Sequence, residues 1–153
     1  MVGEHGQVLK YEVVALNHHE IPIACDHLVD GVCDGDLVLG DGNYDGRRLY
    51  QAIDEKRSQL ITPLRGGGPK DGSTKGQPAG RAEVIRMVNH DPELFALLYR
   101  QRLNVERAFA VLVTATGLQL HLPAWVRRLH RVRRWVAAKL ALLHARIIAR
   151  LAA

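Results

Sequence analysis

At 153 residues the chain has room for one domain, or for one domain with an appended helix. Its 47% apolar and 24% charged residues are those of an ordinary soluble globular protein, and 5% aromatics argue against a sheet surface built to stack bases. Charge is unevenly spread: net −6 over residues 1–60 and +3 over 61–120, then +8 over 121–153, where there is no acid at all. An acidic first part and a basic tail suit a protein that meets cations at one place and polyanions at another, with nucleic acid the commonest polyanion.

The opening MVGEHGQVLK has no apolar core, so it does not read as a signal peptide, and no apolar run is long enough to span a bilayer. VLKYEVVALN and EIPIACDHLV are β-rich runs around the polar NHHE and predict a hairpin, with His18 and His19 as solvated turn residues. Cys25 and Cys33 have neither CxxC nor paired-His spacing and point to a reducing cytosol. DHLVDGVCDGD reads as a short acidic crossover with room for a turn or two of helix.

LVLGDGNYDGRRLYQAID then passes from a buried strand through a glycine-punctuated turn into a helix, with Asp41 at the change. A carboxylate at the carboxyl end of such a strand stands where open α/β sheets place ligands, although capping the turn is its plainest use. SQLITPLR predicts another strand closed by Pro63, and residues 65–80, rich in Gly, Pro, Lys and Ser, predict a flexible insert. No GK[ST] is in phase there, so the insert is not a phosphate-cradling loop.

HDPELFALLYRQRLNVERAFAVL predicts one continuous helix, with Asp91 as N-cap, Pro92 at the first position and Leu94, Leu98, Val105, Phe109 and Leu112 as its apolar stripe. On one helix, Tyr99, Arg102 and Glu106 at i, i+3 and i+7 share a face. The plain account of the last two is an intrahelical ion pair of a few tenths of a kcal/mol. After a break at Gly117, a second long helix is expected from Pro123. Its stripe is Trp125, Leu129, Val132, Val136, Leu140, Leu143, Ile147 and Leu151, with arginines mostly outside it.

Taken together, LGDGNYDGRRLYQAI and YRQRLNVERAF resemble two motifs of the DDE transposases of bacterial insertion sequences. Asp41, Tyr44 and Asp45 match the D-x-x-Y-D setting of that family's second catalytic Asp. Tyr99, Arg102 and Glu106 match its Y-x2-R-x3-E signature, and LPAWVRRLHRVRRWVAAKL is similar to the tail of such enzymes. The resemblance covers roughly residues 8–148.

It implies an α/β, ribonuclease H-like fold: a mixed sheet with flanking helices, here without its first strand, over residues 1–116, and a basic amphipathic helix at 117–153 packed on that core. It implies DNA transposition by metal-dependent strand cleavage and transfer. Asp41 and Glu106 would be catalytic and would ligate Mg²⁺ or Mn²⁺; Tyr99, Arg102, Arg127, Arg128, Arg131 and Arg134 would contact DNA. Partners would be transposon ends and target DNA, with no membrane and a homodimer as the candidate assembly, in a bacterial cytoplasm on the nucleoid.

The sequence also departs from the pattern. The family's first catalytic Asp would fall upstream of Met1, and a Lys many relatives carry seven residues after the Glu is here Val113. The expectation is a truncated, inactive fragment with weak or absent metal binding. Two readings from other classes stand beside it: a catalytically dead DNA-binding module using the basic C-terminal helix, and an interfacial membrane helix on a small α/β domain.

Overall fold

The computed structural model describes residues 1–3, 5–15, 19–69, 71–118 and 122–152. The chain is mixed α/β and mostly helical, and it divides into two compact units: His19–Arg102, and Met1–His18 together with Leu103–Ala153.

The His19–Arg102 unit is built on a β-α-β element. Strand β1 (Leu37–Leu39) leads through a 3-10 turn (Gly42–Tyr44) into helix α2 (Arg47–Glu55), and β2 (Gln59–Ile61) returns parallel to β1, pairing Leu37 with Gln59 and Leu39 with Ile61. A parallel pair needs a crossover, and α2 supplies it. Tyr50, Ile53, Leu60 and Ile61 are buried almost completely, as are Val84 and Ile85 of helix α3 (Ala79–His90), which lies on α2 and β2. Helix α4 (Pro92–Arg100) follows, capped by the Asp91 carboxylate on the Leu94 amide at 3.0 Å.

The expected hairpin does not form. Residues 8–15 carry no strand beyond an isolated bridge between Val2 and Val8, and the predicted turn at Asn17 and His18 lies outside the described residues. EIPIACDHLVDG is helical instead: an α turn, α1 (Glu20–Ile23), continues as a π segment (Ala24–Leu28) and a 3-10 turn (Val29–Gly31). Its β-branched residues suggested strand, but Ile21, Ala24, Cys25, Leu28 and Val29 recur at three or four, which is helical spacing. Pro22 in the first turn removes only an amide that would lack an intrahelical partner. Among the described residues the sheet thus has two strands, both parallel, and a ribonuclease H-like mixed sheet is not seen.

The single helix expected from Asp91 onward is two. The amides of Gln101 and Arg102 bond three residues back, to Leu98 (3.2 Å) and Tyr99 (2.9 Å), closing α4, and helix α5 (Leu103–Thr116) begins afresh. Asn104, a weak helix former in an interior, is better placed in the first turn of the new helix. The predicted stripe shifts accordingly. Phe109 is 57% exposed and Leu94 40%, whereas Ala108 and Leu112 are buried.

In the other unit, α5 ends at Gly117, whose φ of +64° is the left-handed conformation of a helix terminus. Helix α6 (Leu129–Leu151) starts six residues after Pro123, with a turn around buried Val126 between them. Its stripe is buried only in the middle: Leu140 and Leu143 close on Leu112, with Val136 and Ile147 alongside, while Trp125, Leu129 and Leu151 are exposed. Lys139 donates to the Thr116 carbonyl at 2.5 Å, tying the end of α5 to the middle of α6.

Candidate functional site

Asp41 stands two residues past β1, in extended conformation, and caps the 3-10 turn that follows: its Oδ1 accepts the Asn43 amide at 2.8 Å. Its Oδ2 lies 3.7 Å from an Arg102 Nη, with both side chains about a third exposed. Both carboxylate oxygens therefore face a donor. The turn-shaping role is real, and the guanidinium expected to steady phosphates lies against the expected metal ligand.

Tyr99 sits one turn before Arg102, its ring stacked on Phe95 at 5.7 Å between centroids and 9° between planes. The shared face inferred for Tyr99, Arg102 and Glu106 presumed an unbroken helix. With α4 closed at Arg100, helical register does not carry from Arg102 to Glu106. Glu106 is exposed in the first turn of α5, where the helix dipole favours a carboxylate.

What holds the Asp41 turn is a network only partly visible in the sequence. Asp45, four residues on, is buried and grips Arg81 of α3 in two bonds, Nε to Oδ1 at 2.7 Å and Nη2 to Oδ2 at 3.0 Å. Its Oδ2 also accepts the Arg65 amide at 2.8 Å. Hydrogen bonding to Asp45 raises the Arg81 pKa despite burial. Arg65 reaches back to the Asn43 side chain at 3.4 Å. The turn after β1 is thus tied to the loop after β2 and to α3.

Helix α3 is fixed in turn by Asp54, whose two oxygens accept the Gly80 amide at 3.1 and 3.2 Å, a carboxylate at an uncapped helix start. A Cβ at position 80 would lie 2.5 Å from Asp54 Oδ1, so only glycine allows this approach. Arg81 carried no sequence signal beyond following a Gly-rich stretch, because its partner is 36 residues away.

Tyr44 inside the turn is half-buried, and burial first, then the Glu20 and Asp41 carboxylates, push its pKa up, keeping the phenol protonated. Tyr50 behind it is fully buried, bonded to Thr62 Oγ1 at 2.8 Å, and pushed up to about 12, chiefly by burial.

Apart from Arg102, the basic residues expected on DNA are exposed in the turn before α6 and its first turns. Arg127 Nε bonds the Ala124 carbonyl at 2.9 Å and Arg131 Nη1 the Trp125 carbonyl at 3.0 Å, so two of the four also cap that turn. Arg128 is the α6 N-cap residue, and Arg134 follows one turn into the helix. The positive end of the helix dipole lies at the same place.

The chain matches the family model of the transposase DDE domain over residues 1–144 and belongs to that family. No curated protein matches it, and no solved structure does. Transposases of this family act in DNA transposition and generally use divalent metal ions. Among the described residues no three His, Cys, Asp or Glu side chains gather to hold one, and Asp41 has an amide on one oxygen and a guanidinium 3.7 Å from the other. Nor, among the described residues, is any helix long and apolar enough to cross a membrane.

Proposed function

We propose that this chain carries part of a DNA strand-cleavage and strand-transfer apparatus of an insertion-sequence DDE transposase, with Asp41 and Glu106 as catalytic carboxylates. The family match over residues 1–144 carries this reading, and Asp41 at the carboxyl end of β1 beside Arg102 agrees with it. The guanidinium at 3.7 Å is well set to hold a DNA phosphate next to that carboxylate, in exchange for the ion pair it makes without substrate. Tyr99, stacked one turn away, would back the same strand. Arg127, Arg128, Arg131 and Arg134 would hold the flanking duplex through its phosphates.

As these 153 residues alone, the chain is expected to be inactive and to bind Mg²⁺ or Mn²⁺ weakly or not at all, with two of the family's three carboxylates matched. DNA would be its partner, on the bacterial nucleoid, and a second copy of the chain is the assembly to look for. The test is incubation with supercoiled DNA and Mg²⁺ or Mn²⁺, comparing wild type with Asp41→Ala and Glu106→Ala. No nicking is expected from any of them, with DNA binding retained in all. Nicking by the wild type that both substitutions abolish overturns the inactivity and strengthens the catalytic roles; nicking that survives both removes those roles.

The second reading, a DNA-binding module without chemistry, draws on the exposed arginines before and within α6. It predicts tight DNA binding that falls steeply with salt and survives Asp41→Ala.

A further inference from the structure

Between α5 and α6 lies a groove of about 270 Å³ that the strand-transfer reading does not use. The helices run antiparallel, since Lys139 meets Thr116 and Leu140 and Leu143 meet Leu112, so the start of α5 lies beside the end of α6. The floor is apolar: Ala108, Val111 and Ala115 from one face of α5, Leu143 and Ile147 from the facing stripe of α6. Two of the five are alanines, which leaves the space open.

The rim is cationic. Arg107 borders it from α5, Arg146 and Arg150 from α6, and His5 from the N-terminal segment, and among the described residues no carboxylate lines it. Arg146 and Arg150, four apart on one helix, repel each other by a few tenths of a kcal/mol. The arginine nearest them across the groove adds to that. Arg107 bonds only weakly to the Asn104 side chain, at 3.5 Å.

We propose that this groove binds a small amphipathic anion, a carboxylate or phosphate monoester on an apolar body. The head meets Arg107, Arg146 and Arg150, and the body covers the alanine floor. Three guanidiniums around one hollow supply bidentate donors for a carboxylate or phosphate. Pockets that hold small ligands are mostly apolar with a few convergent polar groups, and this one has that composition at a volume suited to a short acyl or single-ring group. A nucleic-acid strand would satisfy the arginines but leave the floor uncovered, with no Phe, Tyr or Trp in the described lining for its bases.

Titration of the full chain with octyl phosphate, below its micelle concentration, tests this against inorganic phosphate and octanol. Octyl phosphate is expected to bind at least about tenfold tighter than either and to raise the melting temperature. Arg146→Gln with Arg150→Gln, both exposed and so harmless to the fold, is expected to weaken it by about tenfold or more. Ala115→Phe, filling the floor, is expected to remove the advantage over inorganic phosphate.

Co-sedimentation with phosphatidylglycerol but not phosphatidylcholine vesicles would give the anion a lipid source. Octanoate binding without sedimentation would give it a soluble one; either supports the site. Octyl phosphate binding no tighter than phosphate overturns the proposal, as does indifference to the arginine pair. So does a thymidine oligonucleotide that binds these residues undiminished by Ala115→Phe while octyl phosphate does not.

Discussion

Asp45 places a carboxylate with 1% of its side chain exposed against Arg81 at 13%. Removing one partner of such a pair leaves the other buried without compensation, so Arg81→Met is expected to cost about 3–5 kcal/mol, read from urea unfolding. A loss within 1 kcal/mol would mean the pair does not hold the turn. Tyr50 supplies a pH dependence. Its folded pKa of about 12 lies above the unfolded value near 10, so the folded chain holds that proton more tightly. Its contribution is complete below about pH 10 and is lost as the pH climbs toward 12. Melts between those limits should fall more steeply for wild type than for Tyr50→Phe, which at neutral pH is less stable by about 1–2 kcal/mol for the lost Thr62 partner. Neither Arg81 nor the Tyr50–Thr62 bond was legible in the sequence, since each joins residues whose spacing follows no local period.

At the scale of elements, local signals held where termini and short apolar runs decide. The helix beginning at Arg47, a strand within SQLITPLR, the Asp91 cap and the Gly117 stop form as read. Leu37–Leu39 is a strand too, but exposed to half-buried where a buried one was expected, because β2 is its one neighbour in the sheet among the described residues. Asp91→Ala is expected to cost about 1 kcal/mol and to speed amide exchange in the first turn of α4, leaving α2 unchanged. Exchange unaltered at Leu94 would show that the cap contributes nothing. Misreadings arose where two patterns competed. EIPIACDHLV carries β-branched residues and helical spacing together, and packing against Gly46 through Ile21 takes the helical option. Helix α3 went unread because its start is buried in a Gly-rich run and capped from another helix by Asp54. The α4–α5 break has neither Pro nor Gly to announce it.

Across the whole molecule, charge sorts by unit. Met1–His18 with Leu103–Ala153 holds ten Lys/Arg against three Asp/Glu, a net of +7, whereas His19–Arg102 holds eleven against thirteen, a net of −2. DNA affinity is therefore expected to reside in the first of these and to fall steeply with salt. Replacing Arg127, Arg128, Arg131 and Arg134 by Gln should flatten the log–log salt slope by up to about 3.6, while Asp41→Ala leaves it unchanged. A slope unaltered by the four replacements would place the contacts elsewhere.

The sequence by itself determined the family, the β-α-β nucleus around Asp41 and the basic amphipathic tail, because motif spacing and hydrophobic period are local properties of the chain. The tertiary structure decided that Asp41 is paired with Arg102, that Asp45 rather than Asp41 is the buried anchor of the turn, and that α4 and α5 are separate helices. Those outcomes depend on which distant side chains reach one another once the core has closed, and no local period encodes that.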